Sequence, residues 1–246
     1  VSNAQEFLNA IFETNTANLP DQFKKEYEIE VQALNDKKIN SYVNSVETIN
    51  SFGESAKNNF YYNGYIRLIH DIDLSESSET DELYTQKLSM LSKIIFAGVL
   101  DGAYHTINGL TLTSSIQNNL ERGDISNYAF GMFAQVGISK NIEIITTEGE
   151  SQYLGNYNDK ESTTIIKNLS LNVERNTNAN KDLGNRNSRS VGVLAGEAVN
   201  AKLMNINVYG NGGTLMGYNY VGGLVGRVSE NSKASNITVD NLSVNA

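Results

Sequence analysis

The chain has 246 residues, 39% apolar and 19% charged, with a net charge of −9 and a pI near 4.8. That is enough apolar matter for one buried core, and the negative balance argues against nucleic acid or an anionic membrane as partner, since both call for a lysine and arginine face. The absence of Cys excludes disulfides and thiolate metal sites, and no apolar run reaches the roughly 18 residues of a membrane-inserting helix.

The opening "NAQEFLNAIF" predicts a short helix with Asn3 as its cap and Phe7, Leu8 and Ile11 facing inward. From Pro20 to Ser51, Phe23, Tyr27, Val31 and Leu34 fall at helical steps, and Pro20 suits a first turn because it lacks only an N–H that would be unpaired there. Tyr42, Val46 and Ile49 continue a similar stripe after "NDKK". Residues 1–60 are therefore expected to form an N-terminal α-helical cap or insertion, with a separate partner-binding helical hairpin as the alternative. From Tyr61 onward helical periodicity fades. Of the 34 Asn, 18 lie after Gly149, and both Asn and Gly tolerate left-handed backbone, so many tight corners between short strands are expected.

A repeat emerges in this part. The pattern Asn, aliphatic, any, aliphatic stands at Asn141, Asn168, Asn205 and Asn236, with the variant "NGLTL" at Asn108. Its first aliphatics, Leu110, Ile142, Leu169, Ile206 and Ile237, are 32, 27, 37 and 31 residues apart. A Gly-led pattern precedes three of them: "FGMFAQ" at Phe130, "VGVLAG" with Gly192 and Gly196, and "VGGLVG" with Gly222 and Gly226. Spacings near 30 with variable polar inserts predict an all-β solenoid over residues 61–246, a parallel β-helix whose equivalent aliphatics pile into buried columns; the spacing does not set the hand of the coil, for which right-handed is expected. In such a coil Ile206 and Val208 point inward and Asn207 outward, the glycines permit sharp corners or close approach, and the recurrent Asn can stack into a ladder.

These residues resemble the GLUG-type repeat of bacterial surface and secreted proteins, above all "VGVLAG" and "VGGLVG" with the following "MNINV" and "SNITV". "FAGVLDGAYHTINGLTL" is similar to the opening coil of such arrays, and "VSNAQEFLNAI" with "YIRLIHDIDLS" to their entry segment. The helical stretch at 20–51, the polar insert at 75–92 and the insert before Ile165 depart from that pattern. Such arrays occur in adhesin-like surface proteins and in non-catalytic N-terminal portions of immunoglobulin A1 peptidases. The resemblance implies an extracellular or bacterial cell-surface location and a scaffold or adhesive role, with a host or extracellular protein or glycan as partner; it implies no reaction. A place as accessory segment of a secreted metallopeptidase and a polysaccharide-acting β-helix enzyme are the alternatives.

Chemistry-bearing motifs are sparse. "HDID" offers His70, Asp71 and Asp73, but in a strand the two carboxylates face away from the histidine, so corner bonding or a solvated face is expected, with calcium on Asp71 and Asp73 as the alternative. Asp101-Gly102 reads as a turn whose carboxylate accepts backbone N–H groups. The chain carries no HExxH, GxSxG or P-loop, so no catalytic residue and no cofactor is expected. Recognition is expected at the loop holding Tyr153 and Tyr157, where Tyr with Asn and Ser gives rigid area and adaptable hydrogen bonds. The chain is expected to be monomeric. Since "NLSVNA" lacks a polar cap, the array is expected to run on past Ala246, and a secreted parent to carry a leader ahead of Val1.

Overall fold

The computed structural model describes residues 1–12, 46–49, 55–62, 64–75, 84, 87–88, 91–112, 128–137, 143–145, 151–153, 164–174, 182–184 and 186–246. These are mostly parallel β-sheet with one α-helix. No helix among them is long and apolar enough to cross a membrane.

The helix, α1, spans Ala4–Phe12. Asn3 Oδ1 accepts the Glu6 N–H at 2.9 Å, satisfying one of the amides that a helix leaves unpaired at its start. The Glu6 carboxylate turns back to accept the Ser2 N–H at 2.8 Å and the Ser2 hydroxyl at 2.9 Å, and these bonds, the amide foremost, hold its carboxyl below the usual range. Phe7, Leu8 and Ile11 are buried in the same core as Ile66, Leu68 and Ile72. The Val1 carbonyl accepts from Ile69 and its ammonium donates to the Arg67 carbonyl, tying the helix to the strand Tyr65–Arg67.

Residues 20–45 of the expected helical segment lie outside the described residues. Val46 and Ile49, expected on a helical stripe, instead stand in the strand Val46–Ile49, which pairs antiparallel with Ser55–Tyr62. The physical reason is the β-branching of Val46, Thr48 and Ile49, whose stiff side chains favour an extended backbone.

Three sets of neighbouring strands organise the rest. In the first, Ser55–Tyr62, Ile94–Phe96, Phe133–Val136, Ala195–Val199 and Val225–Ser229 pair in parallel. In the second, Tyr65–Arg67 pairs with Val99–Asp101, and Val99–Asp101 and Thr106–Leu110 both pair with Thr164–Val173, which is followed by Ala201–Met216 and Lys233–Asn245. In the third, Ala129–Phe130, Ser190–Gly192 and Tyr220–Gly222 lie side by side. Side chains alternate across a strand, so in-register parallel pairing lays like on like. Ile66, Leu100, Ile166 and Leu203 form one such row, all buried. Ile72, Ile107, Leu171, Val208 and Val239 form a second, buried except at Val239, which is 42% exposed. The rings of Tyr62, Phe96 and Phe133 stack in turn, with centroids 5.2 and 4.9 Å apart.

Leu169, Ile206 and Ile237 stand in register, but two expected members of their row fall elsewhere. Leu110 lies beside Val173, past a register irregularity between Ile107 and Leu110 where Gly109 takes a φ of 65°, and the corner equivalent to Asn168 is held by Asp101 and not by Asn108. Asn141 and Ile142 lie outside the described residues, and the strand after them, Glu143–Ile145, pairs antiparallel with Val46–Ile49 and Ser151–Tyr153. Thr164–Val173 pairs directly with Val99–Asp101 and Thr106–Leu110, so the spacings of 32 and 27 residues amount to one step instead of two. The cause is that "NIEI" specifies only alternation, which an antiparallel ribbon uses equally well.

The motif glycines serve close approach and not unusual dihedral angles, since none of the four is among the positive-φ glycines. A Cβ on Gly192 would stand 2.6 Å from Val225 Cα, one on Gly226 2.5 Å from the Val191 nitrogen, and one on Gly222 against the Val225 carbonyl oxygen. Among the described residues Lys233–Asn245 pairs with Ala201–Met216, and Val239 and Val244 are 42% and 52% exposed.

Candidate functional site

Polar side chains gather at the corners between strands. Asn168, Asn205 and Asn236 all adopt left-handed backbone, with φ of 52°, 53° and 53°, a conformation that Asn tolerates better than other side-chain-bearing residues. Asn236 Nδ2 donates to Asn205 Oδ1 at 2.9 Å, Asn205 Nδ2 to Asn168 Oδ1 at 2.9 Å, and Asn168 Nδ2 to Asp101 Oδ1 at 3.3 Å. The first acceptor is a carboxylate, which has no proton to give near neutral pH, so every amide in the ladder points the same way. A second ladder joins Asn211 to Asn172 at 2.7 Å and Asn172 to Asn108 at 3.1 Å. Replacing Asn205 with Ala should cost about 2–3 kcal/mol, from left-handed strain and lost amide bonds. Asn205→Gly, free of the strain, should lose less; urea unfolding of the two variants separates the contributions.

Asp101 anchors the ladder. It is buried, and burial by itself raises its carboxyl. The Ala103 N–H at 3.0 Å, the Asn168 amide and Lys167 Nζ 3.4 Å from Oδ2 together outweigh this and leave the carboxyl below its ordinary value of 3.8. A carboxyl depressed in the folded state contributes stability that is complete above the unfolded value and is lost as pH falls through the folded one. Urea midpoints should therefore drop below about pH 4, and Asp101→Asn, which keeps an acceptor but cannot titrate, should show a smaller acid loss.

Asp71 and Asp73 are not brought together on a common ligand. Asp71 Oδ1 accepts the Thr106 N–H at 2.8 Å and lies 3.2 Å from His105 Nδ1, and the Thr106 bond foremost lowers its carboxyl. Asp73 Oδ1 accepts the Ser75 N–H at 2.9 Å and hydroxyl at 2.6 Å. His70 is exposed, its ring centroid 6.3 Å from that of His105. Among the described residues no three His, Cys, Asp or Glu side chains are grouped to hold a metal ion.

Tyr153, expected in a loop, ends the strand Ser151–Tyr153, in backbone register with Glu143. Tyr157 lies outside the described residues. Other tyrosines are outward: Tyr104 is 78% exposed, Tyr218 69%, and Tyr209 and Tyr220 42% each. Sequence reasoning misses these, although alternation in "NINVY", with Ile206 and Val208 inside, points to Tyr209 outside. Tyr218 and Tyr220 lie on a corner against residues 186–190, where the Tyr218 N–H donates to the Ser188 carbonyl at 2.8 Å and the Tyr220 N–H to the Arg189 carbonyl at 2.8 Å. The Arg227 guanidinium stands 5.9 Å from the Tyr220 ring centroid, and its Nη1 lies 3.1 Å from Oε1 of the buried Glu197.

No protein-family model matches the chain, and neither a curated protein nor a solved structure matches it. The surface is read from its own geometry: hydrogen-bonded corners, a row-packed interior, and aromatic side chains turned to solvent.

Proposed function

We propose that residues 61–246 form a right-handed parallel β-helix solenoid of the GLUG-repeat type, which acts as a non-catalytic adhesive scaffold outside a bacterial cell. The observation that carries this reading is the coincidence of row and ladder: Leu169, Ile206 and Ile237 are in register, and the Asn immediately before each is bonded to the next. Consecutive passes of a coil produce that combination, because one pass fixes both the inward aliphatic and the corner amide. A rigid stack whose corners are held internally leaves its outer faces free for contact, and the exposed Tyr104, Tyr209 and Tyr218 supply apolar area at low conformational cost. The test applies the full chain to a glycan array, immobilised extracellular-matrix proteins and cultured host cells. Saturable binding to at least one surface is expected; no binding to any of them would overturn the adhesive reading.

A further inference from the structure

We propose that His70 and His105 form a surface site for one divalent transition-metal ion of the zinc, nickel or copper kind. Strand register brings the two together. Ile66 pairs with Leu100 and Ile72 with Ile107, so the corners between them, residues 67–71 and 101–106, lie side by side. These corners hold five and six residues, whereas four (167–170 and 204–207) join the equivalent positions Ile166 to Leu171 and Leu203 to Val208. The added length carries Ile69 and Tyr104 into solvent, and insertions of this sort in a repeat often lie on its binding face. Tyr104 takes a φ of 70°, an unfavourable backbone for an aromatic residue, and its N–H bond to the Asn168 carbonyl at 2.7 Å holds it there.

Both imidazoles stand on backbone that is tied down. The His105 N–H donates to the Gly102 carbonyl at 2.8 Å and its carbonyl accepts the Ser170 N–H at 3.1 Å, while the Ile69 N–H, next to His70, donates to the Val1 carbonyl at 3.0 Å. The two ring centroids are 6.3 Å apart. An imidazole nitrogen bound at about 2.0–2.1 Å sets the metal about 3.2 Å from its ring centre, so two rings share an ion at separations up to about 6.4 Å. The observed spacing lies within that reach, and both side chains have room to turn, His70 being exposed and His105 34% so. Asp71 supplies the orientation: its Oδ1 accepts the Thr106 N–H and lies 3.2 Å from His105 Nδ1. An ionised carboxylate only accepts, so the proton of a neutral His105 sits on Nδ1 and the Nε2 lone pair is left for a metal. Two imidazoles select a borderline ion over calcium or magnesium, which call for a shell of oxygens. Water fills the remaining positions, and the net charge of −9 favours the approach of a cation.

The test titrates the full chain by calorimetry with zinc, nickel and copper(II) chlorides, and with calcium and magnesium chlorides as contrasts. One equivalent of at least one transition ion is expected to bind, undisturbed by an excess of calcium or magnesium. The chain has two histidines, so their ring-proton NMR signals report the site directly, and diamagnetic zinc should shift both together. His70→Ala and His105→Ala should each remove the one-equivalent event, and Asp71→Asn should weaken it about tenfold. Thermal unfolding of the metal-free His70→Ala chain should be unchanged, because that side chain is exposed. The proposal is overturned if none of the three ions binds at one equivalent, if calcium binds as tightly, if only one imidazole responds, or if His70→Ala keeps the affinity of the unsubstituted chain. Metal binding is read without any glycan or host surface, so this result and that of the adhesion test stand or fall separately.

Discussion

Ile206→Asp is expected to unfold the strands around it. Ile206 is fully buried, in register with Leu169 on one side and Ile237 on the other. The substitution removes an aliphatic side chain from a packed row, a loss of about 2–5 kcal/mol, and places a carboxylate among apolar neighbours. The combined penalty, roughly 5 kcal/mol or more, is comparable with the whole stability of an ordinary domain. Circular dichroism at rising temperature and limited proteolysis should both report the collapse. Asn207→Asp, one residue on, should stay within about 1 kcal/mol, since that side chain is only half-buried and points the other way. A folded, heat-resistant Ile206→Asp protein would show that the rows do not carry the stability.

The second large effect is expected at Gly196. A Cβ there would meet the Phe130 amide nitrogen and stand 2.6 Å from Ala129 Cα, both main-chain atoms of a neighbouring strand that cannot swing aside as a side chain would. Gly196→Val therefore has to force apart strands that the Gly-led motif brings together, at a cost of roughly 3 kcal/mol or more. Gly212→Ala makes the contrast, because its Cβ would meet nothing nearer than 3.8 Å and only the left-handed φ of 77° opposes it. Melting temperatures should rank Gly196→Val well below Gly212→Ala. The reverse order would mean that backbone conformation, and not room, is what these glycines provide.

Rows and close-packed glycines of this kind leave a trace in residue order. "NINV" and "NITV", with "VGVLAG" and "VGGLVG" ahead of them, recur with the alternation and the interval that the pairing of Ala201–Met216 with Lys233–Asn245 requires. The left-handed corners are legible too, because Asn and Gly are the residues whose chemistry permits them. "NIEI" misleads because four letters carry alternation and no partner; whether Glu143–Ile145 lies in a parallel stack or an antiparallel ribbon depends on distant Val46–Ile49. Val46 and Ile49 mislead in the opposite sense, since a step of three satisfies a helix on paper while β-branching decides locally for a strand. Leu110 stands off its expected row because Asp101, and not Asn108, holds the corner that Asn168, Asn205 and Asn236 continue, and "DGAYHTI" after it does not spell the Asn-aliphatic pattern. The meeting of Tyr218–Tyr220 with residues 188–189 is not legible at all: the two corners are some 30 positions apart, and backbone bonds to the Ser188 and Arg189 carbonyls bring them level.

The short helix gives the strand beside it a shelter that sheet pairing alone would not supply. α1 lays Phe7 and Leu8 into the apolar interior, and the Val1 carbonyl holds the Ile69 amide. Dislodging the helix uncovers two fully enclosed side chains, so the sheet beneath it opens only together with that loss. Deuterium should therefore reach the amides beside Ile66 and Leu100 late, and removing the Phe7 ring should hasten their labelling.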